Sequence, residues 1–427
     1  MYITSLYEKF KKSTGVSTDT RKIEKGNLFF ALKGPNFNAN KLAAQALVLG
    51  ASYAVIDDVE FNNDERCILV EDGLSALQQL ANHHRKQLNI PIIGITGSNG
   101  KTTTKELTRN VLSTKFKVLA TKGNLNNHIG VPLTLLAIDD SIEIAIIEMG
   151  ANHVGEIAAL CLIAEPTHGL ITNIGKAHLE GFGGIEGVIR GKTEMYHWLI
   201  EHEGVMFVNS QIEILSNIAQ RRIKHPIYYP AKGDFLNLNL IEAKPEIVFE
   251  DEDGNRTKTS LGGAYNFENM ATALCVGKYF EVQMGKATLA VANYVPDNNR
   301  SQIMRRGSNT IIMDAYNANP TSMKAALENL SFMNGAKIAI LGDMFELGPE
   351  SVQEHGMVGS QTSTLGLEEV IFCGENMKAA AEANQKAHYF QNKDGLYEYL
   401  RSQTWNDKTI LLKGSRGMGL ESLLEYL

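Results

Sequence analysis

The chain has only 4 cysteines among 427 residues. Cys67, Cys161, Cys275 and Cys373 stand far apart, with no C-x-x-C spacing, which excludes a compact zinc site and a disulfide framework. They are expected to be reduced, mostly buried thiols of a cytoplasmic protein. No apolar run is long enough to span a membrane, and Met1 to Lys12 lacks the apolar centre of a signal peptide. Membrane insertion is therefore not expected. Basic charge is not in excess either. Lys and Arg total 41 against 48 Asp and Glu, and the net charge of -7 argues against nucleic acid as the main partner. Local cationic pockets for phosphates remain open. Internal repeats, low-complexity tracts and a catalytic triad are also missing.

What is present is an ordinary globular composition, 44% hydrophobic and 21% charged. The length suits about three domains. Residues 1–89 read as a small α/β unit, with strands at Gly26 to Leu32, Tyr53 to Ile56 and Cys67 to Val70. Helices are expected over Ala39 to Gly50 and Leu74 to Leu88. Its polar loops, Ser17 to Arg21 and Lys33 to Asn38, could touch a ligand or be simple turns.

Residues 90–294 carry continuous apolar runs at Ile92 to Thr96, Val118 to Ala120, Ile144 to Ile147, Leu170 to Thr172 and Val205 to Val208. Such runs between helical patterns predict a parallel sheet covered on both faces. Asp253-Gly254 signals a hairpin, and Asn266 to Phe280 a helix. Residues 295–427 alternate Ile311 to Met313, Lys337 to Leu341, Val370 to Phe372 and Ile410 to Leu412 with helices, a second doubly wound sheet. The polar stretch Pro296 to Arg300 reads as the linker between them.

The most informative stretch is Gly97-Ser98-Asn99-Gly100-Lys101-Thr102-Thr103, between the strand Ile92 to Thr96 and a helix expected from Thr102 to about Ser113. Glycines let the backbone approach a polyphosphate, and amides at the helix start point at the anion. Lys101 would neutralise phosphate charge and the Thr102 hydroxyl would ligate Mg²⁺. The wide pattern G-x-x-x-x-G-K-[ST] is not met, because Ile95 stands five residues before Gly100; a tighter G-x-x-G-K-T-T stands instead.

Ligands of open parallel sheets collect at the carboxyl ends of the strands. Glu148 ends one strand and is placed to hold Mg²⁺; His178 lies in the turn after another and is a possible ligand or acid/base. Gly191-Lys192 sits near the start of a helical stretch. Asp314 leads into Tyr316-Asn317-Ala318-Asn319-Pro320. The last strand leads into Lys413-Gly414-Ser415-Arg416, where Lys413 and Arg416 could hold a carboxylate or phosphate. Polar clusters on two separate units imply a site closed by domain movement, which suits an ATP-driven joining reaction that must exclude water.

Together these loops resemble the Mur ligase family of ATP-dependent amide-forming enzymes over nearly the whole chain. The likeness rests on Thr96 to Thr103, Glu148-Met149-Gly150, Asn173 to His178, Asn266 to Asn269 and Asp314 with its turn. Within the family, Gly123 to Thr134, His178 to Gly183, Tyr316 to Pro320 and Leu341-Gly342-Asp343-Met344 look like members that join D-alanyl-D-alanine to a UDP-N-acetylmuramoyl-tripeptide. The resemblance implies three domains: 1–89 for the UDP-sugar, 90–294 for ATP, and 295–427 for the dipeptide. It implies two Mg²⁺ sites, one at Thr102 and Glu148, the other at His178 and a Lys192 carbamylated by CO₂. It implies that Asn269, Arg300 and Asp314 contact adenine, phosphate and ribose. Thr20, Arg21, Asn126, Asn127, Asn317, Asn319, Lys413, Ser415 and Arg416 are then substrate-binding candidates, and a monomer is expected. The chain departs from the family at Gly175-Lys176, where Ala-Pro is frequent, and at Asn298-Asn299, where glycine is frequent before the arginine. Two other readings remain at this level: a related ligase adding one amino acid, or glutamate to folate, and a nucleotide-binding protein without turnover.

Overall fold

The computed structural model describes residues 2–222, 224–243, 246–296 and 300–427. Asp297, Asn298 and Asn299 of the linker lie outside the described residues. Three α/β units follow one another, each built on a sheet of continuous apolar strands.

In the first unit, Val16–Ser17, Leu28–Phe30, Tyr53–Ile56 and Cys67–Leu69 form a parallel sheet in that order. The helix expected from Ala39 begins instead as a 3₁₀ turn, Ala39–Leu42, and becomes α-helical only over Ala43–Val48. Asn38 caps this start, its side chain accepting from the Asn40 amide. The helix Gly73–Arg85 joins this unit to the next. Its Gln78 donates to the His128 carbonyl, and Arg85 donates to the carbonyls of Ala164 and Glu165.

The central sheet has six parallel strands in the order Ile227–Tyr229, Val205–Asn209, His168–Ile171, Ile92–Thr96, Ile144–Glu148, Val118–Ala120. Ile92–Thr96 and Ile144–Glu148 are buried at every position, which is why both read as unbroken apolar runs. One face is covered by the helices Lys101–Leu112, Ala264–Tyr279 and Met284–Ala292, around a core of Leu107, Val111, Met270 and Leu274. The expected hairpin turns at Asp253-Gly254, within a small antiparallel sheet of Asn239–Glu242, Val248–Glu250 and Arg256–Lys258.

The third sheet runs Gln302–Arg306, Asn309–Asp314, Lys408–Lys413, Ala336–Gly342, Glu369–Cys373, His388–Phe390. All neighbours are parallel except the first pair, an antiparallel hairpin. That edge strand is not foreseen above; its mostly polar sequence carries no apolar run and follows just after the stretch read as linker, Pro296 to Arg300. One apolar cluster runs through all three units, from Leu6 and Leu77 through Ile147 and Ile171 to Met323 and Leu341. The third unit is thereby seated on the carboxyl edge of the central sheet.

His168 opens its strand inside an aromatic cage. Its ring stacks on Phe207 at 6.3 Å and lies 5.5 Å from Tyr279 and 5.2 Å from Phe280. Burial pushes its pKa down to about 4. In the unfolded chain it titrates near about 6.5. The neutral ring's contribution is thus complete above that value and is lost as pH falls from 6.5 towards 4, by up to about 1.4 kcal/mol per pH unit. In urea titrations, His168→Phe should remove that part of the acid sensitivity, so the gap between variant and parent closes or reverses between pH 7 and pH 5.

Candidate active site

The phosphate loop leaves the strand Ile92–Thr96 and enters the helix Lys101–Leu112. Two glycines make this turn possible. Gly97 has φ +138°, and a Cβ there would fall 2.0 Å from Thr172 Oγ1; Gly100 has φ +79°, and a Cβ would fall 2.5 Å from Asn269 Oδ1. The loop is held from below by the next strand end. Asn99 N donates to Asn173 Oδ1 at 3.0 Å, and Asn99 O accepts from Thr172 Oγ1 at 2.6 Å. Ser98 Oγ donates to Gly175 O at 3.0 Å.

Lys101 is the first residue of the helix, and its Nζ turns back onto the carbonyls of Gly97 (2.7 Å) and Ser98 (3.2 Å). Burial lowers its pKa to about 8; Glu148 opposes the shift and Arg300 adds to it. Thr102 Oγ1 donates to the Glu148 carboxylate at 3.0 Å. Asn126 Nδ2 meets the other Glu148 oxygen at 2.8 Å. Lys105, one helical turn beyond Thr102, points the same way and reaches Thr121 O at 2.6 Å and Glu148 Oε2 at 3.7 Å. The Thr102 hydroxyl and the Glu148 carboxylate converge from two elements, as hard oxygen donors for Mg²⁺ must.

Lys192 is not near the start of its helix, as read above, but in the middle of Ile185–Glu201, because that helix begins right after Gly184. Its side chain is 1% exposed, with Nζ donating to Ala151 O at 2.9 Å. Burial, then the neighbouring Lys101 charge, drives its pKa far below that of a free lysine. A neutral amine is the form that can add CO₂, so the residue fits a carbamate. His178, at φ +53°, contacts the Glu346 carboxylate through Nδ1. Burial lowers its pKa, with Glu346 opposing and the charges of Lys101 and Lys192 adding. A carboxylate on one ring nitrogen of a ligating histidine is a familiar orienting arrangement. Among the described residues no three His, Cys, Asp or Glu side chains cluster tightly enough to hold a metal by themselves.

A cavity of about 910 Å³ opens over these groups. Its walls include Ser98 to Lys101, Thr103, Asn126, Asn127, Glu148, His178, Asn269, Arg300, Asp314, Asn317, Asn319 and Lys413. The third unit thus supplies a wall, as its strand-end turns suggested. Asn269 Oδ1 accepts from Thr104 Oγ1 at 3.0 Å. The Arg300 guanidinium lies 3.7 Å above the Tyr316 ring, with its Nε buried and unpaired. Lys413 Nζ pairs with Asp314 Oδ2 at 2.6 Å, so its charge is committed to that carboxylate.

Several candidates lie elsewhere. Gly97, Thr102 and Lys192 sit behind the cavity wall. Ser415 is buried in the third unit, where its Oγ accepts from Phe345 N. Arg416 is exposed and faces Glu421 at 3.6 Å. Thr20 and Arg21 line a separate pocket of about 470 Å³ with Thr18, Phe37 and Leu42. Arg21 there forks onto Asp19 at 2.9 and 2.8 Å, which lowers the Asp19 pKa to about 2. Gly175-Lys176 serves docking: Lys176 N donates to Thr321 Oγ1 at 3.2 Å, and its Nζ pairs with Glu354. Sequence reasoning missed Glu346 and Lys105. Lys105 had a signal, three residues after Thr102 on the same helix face. Glu346 had none beyond its nearness to Leu341 to Met344.

Residues 95–277 match the Mur ligase middle domain, and residues 299–416 match the Mur ligase, glutamate ligase domain. The chain is 35% identical to the UDP-N-acetylmuramoyl-tripeptide--D-alanyl-D-alanine ligase of Bacillus subtilis (strain 168), over 97% of this chain and 93% of that one. It is 34% identical to the ligase of the same name from Escherichia coli (strain K12), over 96% and 93%. Among solved structures, it resembles MurF from Acinetobacter baumannii with a TM-score of 0.88 at 30% identity, over 99% of this chain and 97% of that one. MurF ligase from Thermotoga maritima in complex with ADP gives 0.84 at 27% identity, over 98% and 97%.

Gly100→Ala places a methyl against Asn269 in a left-handed backbone, a strain of about 1–3 kcal/mol. The variant should fold but bind ADP at least about tenfold more weakly in calorimetric titrations. Unchanged affinity would show that the loop's conformation is not what holds the phosphates.

Proposed function

The chain belongs to the Mur ligase family, and we infer that it is the ATP-dependent ligase joining D-alanyl-D-alanine to the terminal carboxylate of UDP-N-acetylmuramoyl-tripeptide in peptidoglycan precursor synthesis. The observation that carries this reading is one cavity bringing the phosphate loop, the Glu148 carboxylate and the turns of the third unit together.

The reaction runs in two steps. The substrate carboxylate oxygen attacks the γ-phosphorus of ATP, the bond to the β-phosphate oxygen breaks, and ADP leaves. The dipeptide amine then adds to the acyl phosphate carbon. The tetrahedral intermediate expels inorganic phosphate, and the amine proton goes to solvent or a base. No protein nucleophile is required. Lys101 and the amides of Gly100 to Thr103 at the helix start would hold the triphosphate, a task of positioning and charge compensation. Asn269 would face adenine, Arg300 a phosphate, and Asp314, fixed by Lys413 and the Ser301 amide, the ribose.

The donor sets fit two Mg²⁺ ions, one on Thr102 and Glu148, the other on His178 and a carbamate of Lys192. Bound there, the metals would offset charge on the polyphosphate and the transferring group. Glu346 would keep the His178 ring oriented, and the dry surroundings of Lys192 would keep its amine uncharged and able to take up CO₂. Residues 1–89 would hold the UDP-sugar at the Thr20 and Arg21 pocket, residues 90–294 ATP, and residues 295–427 the dipeptide, with Asn126, Asn127 and Asn317 reaching the peptide. Ser415 and Arg416 would act by shaping the loop beside Lys413. Among the described residues no helix is long and apolar enough to cross a membrane. As this ligase it would work in the cytoplasm, as a monomer, with its four cysteines as free thiols, and serve cell-wall growth, cell shape and division.

Phosphate release should require the UDP-tripeptide and D-alanyl-D-alanine together; release with a single amino acid instead would overturn the assignment. Lys101→Ala should lower the turnover rate by about 10²–10³. Lys192→Ala should lose activity and regain part of it with acetate or another short carboxylic acid; a fully active Lys192→Ala would sink the carbamate.

A further inference from the structure

Asn319 caps the helix Pro320–Ser331. Its Oδ1 accepts from Ser322 N at 2.9 Å, and Ser322 Oγ reciprocates at the Asn319 amide. That cap leaves only the Nδ2 of Asn319 to face outward. It donates to Asn99 Oδ1 at 2.7 Å, across the seam between the third unit and the phosphate loop. An amide that accepts with its oxygen must turn its nitrogen the other way. Asn99 Nδ2 is buried and has no acceptor among the described residues. The backbone of Asn99 cannot adjust, because its N and O are both bonded to the strand end at Thr172 and Asn173. The helix cap of one unit thus dictates which end of an amide the other unit presents.

A buried donor without an acceptor is costly, and an anionic oxygen satisfies it best. Asn99 lines the cavity beside Gly100 and Lys101, where the phosphate tail would lie. We propose that Asn319 is a positioning residue that, when the third unit docks, turns the Asn99 amide so that its Nδ2 donates to the transferring γ-phosphoryl group. Undocked, the loop holds ATP with an unoriented amide; docked, it gains one donor aimed at the group that moves. Docking and phosphoryl transfer are thereby linked through two side chains. This rests on the nucleotide reading above.

The test compares ADP with the β,γ-methylene analogue of ATP by calorimetry, each with Mg²⁺. Asn319→Ser keeps a capping oxygen but loses the donor to Asn99. Its affinity for the analogue should fall about tenfold while ADP stays within about twofold. Asn319→Asp keeps the cap and can only accept, so it should draw Asn99 Nδ2 to itself and cost the analogue more than serine does. Asn99→Ala should show the same selective loss, and Asn99→Ala combined with Asn319→Ser no further loss. Equal losses of ADP and analogue, no loss in either Asn319 variant, or additive effects in the double variant would overturn the relay. ADP failing to bind the parent protein would refute the nucleotide reading itself.

Discussion

Charge taken out of water is the constraint to which the carboxyl edge of the central sheet is fitted. Lys105 and Glu148 are 0% exposed, and Lys192 and Lys413 1%. A buried ion persists only where partners replace its hydration. Lys105 finds Glu106, Glu148 and the Thr121 carbonyl; Lys413 finds Asp314. The contacts of Lys105 with Glu148 and Thr121, and of Lys413 with Asp314, tie elements distant in sequence, so pairing requirements also fix how helices and loops meet. Lys192 stands apart: its Nζ donates to a backbone carbonyl, that of Ala151, and among the described residues no carboxylate pairs with it. Burial works against its charge instead and holds its pKa well below that of a free lysine.

The strands were legible because parallel strands covered on both faces leave no polar alternation to misread. Val118–Ala120 and Tyr53–Ile56 begin and end as read from the sequence. The phosphate loop was legible for a related reason, since backbone approach to an anion demands glycines at fixed places. The edge strand Gln302–Arg306 was not, because one neighbour and open solvent impose no apolar pattern. Nor was the depth of Lys192, since a lysine's burial depends on what packs over it. Glu346 was invisible for the same reason: it meets His178 from 168 positions away. Ser415 and Arg416 read as part of a cationic ligand loop; that Ser415 accepts from Phe345 N, and that Arg416 meets Glu421 and the Tyr316 ring, are tertiary contacts no spacing foretells.

The seam between the third unit and the central sheet is mixed in character. Met323, Leu327 and Ala318 join the common apolar cluster, while Asn319, Thr321, Glu346 and Glu354 make the polar contacts at its rim. Apolar area favours association without specifying alignment; hydrogen bonds and ion pairs specify it. Gly175-Lys176 belongs to this second class, since a Cβ on Gly175 would press within 3.0 Å of Thr321.

The large cavity has walls from all three units: Gln78 from the first, Lys101 and Glu148 from the second, Asn317 and Lys413 from the third. A small molecule that filled it would touch all three at once. Such a compound would behave less as a plug than as molecular glue, since leaving would require the units to part. Its residence time would be set by the opening of the seam, and weakening Lys176–Glu354 would shorten that time without touching any atom of the compound.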